Sequence, residues 1–342
     1  MVHLRIVVPS YQAEHALDLL NATPSACNLI YLERAARRPE GDVILCDVAR
    51  EDASVIVSDL RELNIDREGS IAMETIDSQI SSGAVSAERA AVGFPSDAVV
   101  WEEVESRTSE NVELSANFLG FMVLAMLIAM VGILTDQLVL IIGAMIVGPE
   151  FGPIAGLCVA AVEKRRDLLK RSLAALAVGF PLAITFTFLV TLLINAVGAV
   201  PNDFNQHDHP FTKFISSPDG WNFLVAYLAG MAGVLSLTST KSGALIGVLI
   251  SVTTIPAAAN IGVAAALGDW HEWVGAIEQL SLNLTAIMLA GIGTLFIQRR
   301  LYVRRRVAHL HDEAREAAGL PLGESRRARQ QAAAGTPAPP PP

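Results

Sequence analysis

The chain is short of the residue types on which most enzymes and small secreted domains are built. Its 342 residues hold three cysteines, Cys27, Cys46 and Cys158, with no C-x-x-C pair and no metal-ligand spacing. That excludes a disulfide scaffold and a zinc module, and the three read as buried, inert thiols. No G-x-S-x-G, H-E-x-x-H, paired aspartates or Gly-rich phosphate loop occurs, so an enzyme is the least supported class. His207-Asp208-His209 comes nearest to a metal site, but two histidines at i, i+2 without further ligands do not make one. Met1-Val2-His3-Leu4-Arg5 lacks a basic start leading into an apolar run, and no cleavable signal peptide is expected. Basic charge is missing where nucleic acid would need it: residues 1–116 carry 9 basic and 21 acidic side chains. Nucleic acid is therefore not an expected partner. Residues 301–342, with 7 basic and 4 acidic side chains, form a tail that anionic lipid can attract.

Charge of either sign is scarce in the middle of the chain, and there the positive content begins. Only 18% of residues are charged, against 52% hydrophobic. Uncharged runs of 22, 31, 21, 27 and 20 residues follow Glu113, Arg171, Asp219, Lys241 and Glu278, and 26 residues after Asp136 hold a single acid, Glu150. A spanning helix needs about 20 apolar residues. All six runs reach that length, so six spans are expected and the lipid bilayer is the first partner.

Ahead of the first run the pattern predicts a small α/β domain. Val2–Val8, Asn28–Arg34, Asp42–Val48 and Arg67–Ile76 read as strands, Tyr11–Leu20 and Glu51–Leu63 as helices. The order β-α-β-β-α-β is that of a split βαβ, ferredoxin-like domain over residues 1–80. Residues 81–116 read as a linker with a charged amphipathic helix from Asp97 to Leu114, and residues 299–342 as a basic, then Pro-rich tail.

Loop charge sets the orientation. Glu163–Arg171 and Arg299–Arg306 each carry five basic residues, and Lys241 falls on the same side. Thr135–Gln137 and Gly268–Glu278 carry none, and Val200–Gly220 only Lys213. A multi-pass inner-membrane protein with both termini cytoplasmic is expected.

Two apolar segments, Leu140–Pro153 and Leu245–Pro256, align at an offset of 104 residues, and each meets helix-breaking residues. Gly143 falls on Gly247, Ile146 on Ile250, and Ala155, Val159 and Ala160 on Ala259, Val263 and Ala264. The membrane region 117–298 therefore reads as two three-span repeats, 117–197 and 221–298. An odd span count turns the second upside down, and such repeats build sites where interrupted helices meet. The expected pathway residues are Gly148, Pro149, Glu150, Gly152 and Pro153 in span two, with Thr253, Thr254 and Pro256 in span five. Asn283 in span six joins them, as does Asp136, which also reads as the cap of span two. Glu150 is the sharpest, since an ionised acid at the centre of a span costs about 2.5–3.5 kcal/mol. Proton coupling and cation coordination fit it, as does a neutral carboxyl bonded between helices. The prolines and glycines equally fit a re-satisfied kink and close helix packing.

The run Ile141-Ile142-Gly143-Ala144-Met145-Ile146-Val147-Gly148-Pro149-Glu150-Phe151-Gly152-Pro153-Ile154, preceded by Gly132-Ile133-Leu134-Thr135-Asp136, resembles the DUF389 family of bacterial and archaeal membrane proteins. The likeness extends from Asn117 to Gln298. It implies a multi-span protein with a cytoplasmic α/β region, and carries no activity or site residue with it. Glu150 departs from the apolar residue expected between Pro149 and Gly152.

Two readings follow. One is an inner-membrane transporter or channel-like protein with its site at spans two and five, regulated by the N-terminal domain. The other is a membrane-anchored sensor whose N-terminal domain binds a small ligand or partner. Small residues along the spans suit a homo-oligomer. A small-molecule or ion ligand fits either reading, and the sequence names no cofactor or coupling ion.

Overall fold

A computed structural model describes residues 1–91, 93, 98–201, 219–239, 244–309 and 313–320, leaving out the side chains of 244–253, 308, 313 and 314. The chain divides into two compact units. One comprises Met1–Val100 with Arg300–Pro342, the other Trp101–Arg299.

In the first unit the elements are β1 (Val2–Val8), α1 (Ala13–Ala22), β2 (Ala26–Arg37), β3 (Glu40–Val48), α2 (Arg50–Glu62), α3 (Ile65–Glu68), β4 (Ser70–Thr75) and α4 (Ser82–Ala90). Strand periodicity explains the core: Val2, Leu4, Ile6 and Val8 of β1 turn inward together with Ile44, Cys46 and Val48 of β3. Against them pack Ala16, Leu19 and Leu20 of α1 and Ile56, Val57 and Leu60 of α2. The sheet runs β2-β3-β1-β4 with every pairing antiparallel. Each helical crossover therefore straddles one strand, β3 in the first case and β1 in the second.

The sequence places the four strands, α1 and α2 to within a few residues and runs its last strand back over the short helix α3. It treats α4 as linker, because a nine-residue helix burying only Ala84 and Ala87 has almost no apolar stripe to read. Towards the chain's end, α13 (Glu313–Ala317) follows a long helix, and basic residues gather on two acids of α2. His309 Nε2 lies 2.8 Å from the buried Asp59, Arg306 and Arg315 each donate to Glu62 at 2.6 Å, and Arg315 also donates to Asp59.

The second unit holds α5 (Trp101–Glu110), α6 (Ala116–Leu134), α7 (Leu138–Val147), α8 (Phe151–Glu163), α9 (Arg166–Ala196), α10 (Gly220–Thr238), α11 (Ala244–Leu267) and α12 (Trp270–His309), the last crossing the boundary at Arg299. Among the described residues, α6, α9, α10 and α12 are long and apolar enough to cross a bilayer. The pair α7 and α8, bent by 53°, makes a fifth when counted together. The part of α11 whose side chains are described, Thr254–Leu267, is a shorter apolar helix. The six expected spans are thus met in part. Phe121, Leu124, Leu189, Leu193, Leu228 and Leu289 are exposed on this unit, an apolar surface suited to lipid rather than water.

Helix boundaries recur at a fixed interval. Ala116 and Gly220 open α6 and α10, and Leu134 and Thr238 close them. Glu163 and Leu267 close α8 and α11, and Arg166 and Trp270 open α9 and α12. Each pair is 104 residues apart. Caps repeat too: Ser115 accepts from the Phe118 amide at 3.1 Å and Asp219 from the Asn222 amide at 2.7 Å. Lys164 and Gly268, also 104 apart, both take positive φ, 58° and 78°.

Polar pairs reveal which helix ends lie together. Glu113, just before α6, is 3.6 Å from Arg171 near the start of α9. Glu163 at the end of α8 is 3.2 Å from Arg299. The neighbouring Gln298 donates to Thr238 at the end of α10, 2.9 Å away. So α6 starts, α8 ends, α9 starts and α10 ends at one end of the unit. Helices α6 and α10, with matching boundaries, run in opposite directions.

Candidate functional site

The break between α7 and α8 follows from three residues. Proline disfavours helical backbone in the residue before it, and Gly148, ahead of Pro149, takes an extended conformation (φ −63°, ψ 125°). The helix restarts at Phe151 with Glu150 as its N-cap residue. Pro153 then sits in the first turn of α8, where a missing N–H costs little. The last carbonyls of α7 and the first amides of α8 are thereby left without intrahelical partners at the break.

The second expected break is absent. Helix α11 runs from Ala244 to Leu267 with Pro256 inside it. A lone proline removes one ladder bond, which α11 tolerates at Pro256, whereas α7 ends in extended backbone ahead of Pro149. The structure is therefore asymmetric here, with one broken helix facing one continuous helix.

Glu150 is wholly buried at the break and accepts a hydrogen bond from Thr254 Oγ1 at 2.9 Å. These two residues are 104 positions apart, the same interval that separates the matching helix boundaries. Gly148 makes the arrangement possible. A Cβ there would run into the Glu150 carboxylate and come within 2.9 Å of Ile255 Cγ1. On the far side, the chain leading into α6 covers α8: a Cβ on Gly152 would lie 2.8 Å from Asn111 Cβ, and one on Gly156 2.6 Å from Val112 Cγ2.

Asn283 is buried on α12 at the same level. Parallel contacts set this register: Glu163 meets Arg299, Cys158 Sγ lies 3.9 Å from the Met288 carbonyl, and Ile154 packs with Ile287. One turn further back on each helix brings Glu150 level with Asn283. Asn283 Oδ1 accepts from Gln279 Nε2 at 3.1 Å, and Gln279 is itself 3% exposed. Sequence reasoning missed Gln279, although two amides at i, i+4 within an apolar run give a readable signal.

The other expected residues lie elsewhere. Asp136 sits in the turn between α6 and α7 with φ 48°, and Gln137, without a side-chain bond, occupies the cap position. Asp136 thus stands one residue ahead of the cap position, in a left-handed turn that aspartate tolerates. Helix α7 separates it from Glu150. Ser281 and Thr285 are exposed and donate to carbonyls of their own helix, at 2.8 and 2.7 Å. The side chain of Thr253, Lys241 and His207-Asp208-His209 fall outside the described residues. No group of three or more His, Cys, Asp or Glu able to hold a metal occurs among the described residues.

A second polar constellation belongs to the first unit. Asp47 Oδ1 is 2.7 Å from His3 Nδ1, and Asp47 Oδ2 accepts from Asn28 and Gln79, both at 2.7 Å. Burial pushes the Asp47 carboxyl up, but the bonds from Asn28, His3 and Gln79 outweigh it and hold it below the usual carboxylate range. Asp42 behaves alike: burial raises it, and donors from Tyr31, the Arg34 amide and Ser10 bring it below. The Tyr31 hydroxyl, bound to Asp42, is pushed up to about 12.

The helical core around Glu150 coincides with a known family. The family described as a domain of unknown function, DUF389, matches residues 145–289, from the end of α7 to the middle of α12. Over this segment the chain is similar to that family. An uncharacterised protein of Methanocaldococcus jannaschii is 26% identical over 194 residues, 57% of this chain and 58% of its own length. No solved structure gives a significant match. The matched segment contains Glu150, Thr254, Gln279 and Asn283.

Proposed function

We propose that the protein is a six-span inner-membrane transporter or channel-like protein that passes a proton or a small cation by way of Glu150. The observation that carries this is the Glu150–Thr254 hydrogen bond. In two repeats related by a two-fold axis in the membrane plane, equivalent residues meet only at the axis, and such axes house transport sites. The matching boundaries and opposed directions of α6 and α10 support an inverted repeat over 117–197 and 221–298. The ligand chemistry favours a proton or hard cation over an anion. A carboxylate, a hydroxyl and the terminal carbonyls of α7 are all oxygen donors, and Glu150 itself occupies the positive end of α8. Gly148, Pro149 and Pro153 break and restart the helix beside Glu150, and Gly152 seats α8 against the chain leading into α6. Thr253 and Pro256 flank Thr254 on α11 in the sequence.

The shared helix end bearing Arg165, Arg166, Arg171 and Arg299 is the cytoplasmic one under the charge rule, with both termini there. The sheet order supports a ferredoxin-like reading of residues 1–80, in a regulatory role. Residues 81–116 then connect it to the membrane domain 117–298, with 299–342 as the tail, and the small residues of α8 suit a homo-oligomer. In proteoliposomes, Glu150→Gln is expected to abolish proton or cation flux while assembly persists. Unchanged flux in that variant overturns the assignment.

The sensor reading draws on the Asp47 constellation, a polar cluster in a unit with its own core. Ligand binding by the full chain that is lost in Asn28→Ala, with no flux under any gradient, would favour it.

A further inference from the structure

We infer that one face of α12 carries a wetted, cation-accessible track, formed by Glu272, Gln279 and Asn283 with Asn260 of α11, leading from the Trp270 end to the level of Glu150. It rests on the reading of Glu150 as an ion site and supplies that site with a route and a direction. Residues 272, 276, 279 and 283 succeed one another at helical spacing and form a single stripe. Ala276, Gln279 and Asn283 are buried, and Glu272 at the stripe's outer end is half-buried. Asn260 Nδ2 lies 3.5 Å from Glu272 Oε2.

Gln279 provides the independent sign of a ligand. Its amide nitrogen donates to Asn283, but its Oε1 is buried without a hydrogen-bond donor among the described residues. A buried amide oxygen at hydrocarbon depth calls for water or a cation to satisfy it.

The rest of the unit shows why the track is one-sided. At the repeat interval Gln279 and Asn283 correspond to Ala175 and Gly179 on α9. There the helices close: a Cβ on Gly179 would lie 2.9 Å from the Phe118 ring. Beyond Asn283 the same stripe continues as Ile287 and Ala290, both buried. Gly230 brings α10 so near that a Cβ would lie 2.6 Å from the Ile287 carbonyl oxygen, and a Cβ on Gly291 would lie 2.8 Å from Cys158 Sγ. The polar stripe therefore ends in a tight apolar seal one turn past Glu150's level. A route open from the Trp270 end and closed beyond is one state of an alternating-access cycle.

Cysteine accessibility tests this without relying on flux. In full-length protein lacking Cys27, Cys46 and Cys158, Glu272→Cys, Gln279→Cys and Asn283→Cys are treated with a trimethylammonium methanethiosulfonate from the Trp270 side. Ala290→Cys and Leu289→Cys report the packed and lipid-facing backgrounds. The track predicts modification at 279 and 283 at least tenfold faster than at 289 and 290. Rates at 279 and 283 no greater than those controls, in variants that elute as wild type, overturn it, and a reactive 272 then confines water to the mouth. Fast labelling with no flux in any preparation keeps the track and removes the transport reading. Flux lost in Glu150→Gln but unchanged in Gln279→Leu and Glu272→Gln keeps the transport reading and removes the track.

Discussion

The Glu150–Thr254 bond permits a test that separates an engaged carboxylate from two residues that merely lie close. Thr254→Val keeps the β-branched shape and deletes one donor, 2.9 Å from Glu150 Oε1. A bond to a charged group is worth about 1.5–3 kcal/mol in soluble proteins. Intramembrane bonds average ~0.6 kcal/mol and reach ~1.7. The buried, charge-capable pair belongs towards the upper part of that second range, so Thr254→Val is expected to destabilise by about 1–2 kcal/mol.

Glu150→Leu removes the other partner and behaves differently. Thr254 retains a fallback in its own helix, as Thr187 and Thr191 show by donating to carbonyls four residues back at 2.9 and 2.8 Å. Replacing a buried carboxylate by an apolar side chain is often neutral or stabilising. The double variant should then resemble Glu150→Leu, leaving a coupling of about 1–2 kcal/mol, well above the ~0.3–0.5 kcal/mol scatter of non-interacting sites. The assay is reversible unfolding in bicelles across the four-member cycle. An equal cost for Thr254→Val in wild-type and Glu150→Leu backgrounds refutes the reasoning.

Two further outcomes test other parts of the structure. Gly230→Ala should destabilise by about 1–3 kcal/mol, because the new Cβ meets the Ile287 backbone, which cannot rotate away; Gly143→Ala, with nothing within 4 Å, should be neutral or stabilising, and equal unfolding midpoints for the two would contradict the packing. Asp42 and Asp47 have carboxyls held below their ordinary range in the folded state, so the unfolded chain binds protons first as pH falls. Their stabilisation is complete above the ordinary carboxylate range and disappears as pH drops through the lowered values, which hydrogen exchange at β1 and β3 amides should report as falling protection in acid; protection unchanged down to that range and below it refutes the assignment.

Much of this architecture is legible in the linear chain because the forces that set it are local. Period-two alternation in Val2–Val8 and the helical stripe of α2 reflect one-sided burial, and uncharged runs reflect the cost of charge in hydrocarbon. The break at Gly148-Pro149 is equally local, since steric rules for the residue before proline act on neighbours. Pro256 shows the limit of that reasoning, as a single proline leaves the helical outcome to its surroundings. The α4 helix escapes notice because alanines at two positions carry little pattern, and Gln279 because its value depends on which face of α12 is buried.

The sequence by itself determined that the middle of this chain is apolar enough for a membrane, that two of its apolar segments align at an offset of 104 residues and that Glu150 stands alone in its run. Those are consequences of solvent and spacing, which every residue carries with it. Only the tertiary structure decided that Glu150 meets Thr254, that α6 and α10 run oppositely, and that Asn283 rather than Asp136 shares the level of the break. Such pairings depend on how helices distant in the chain are brought together, and no local rule specifies a contact across 104 residues.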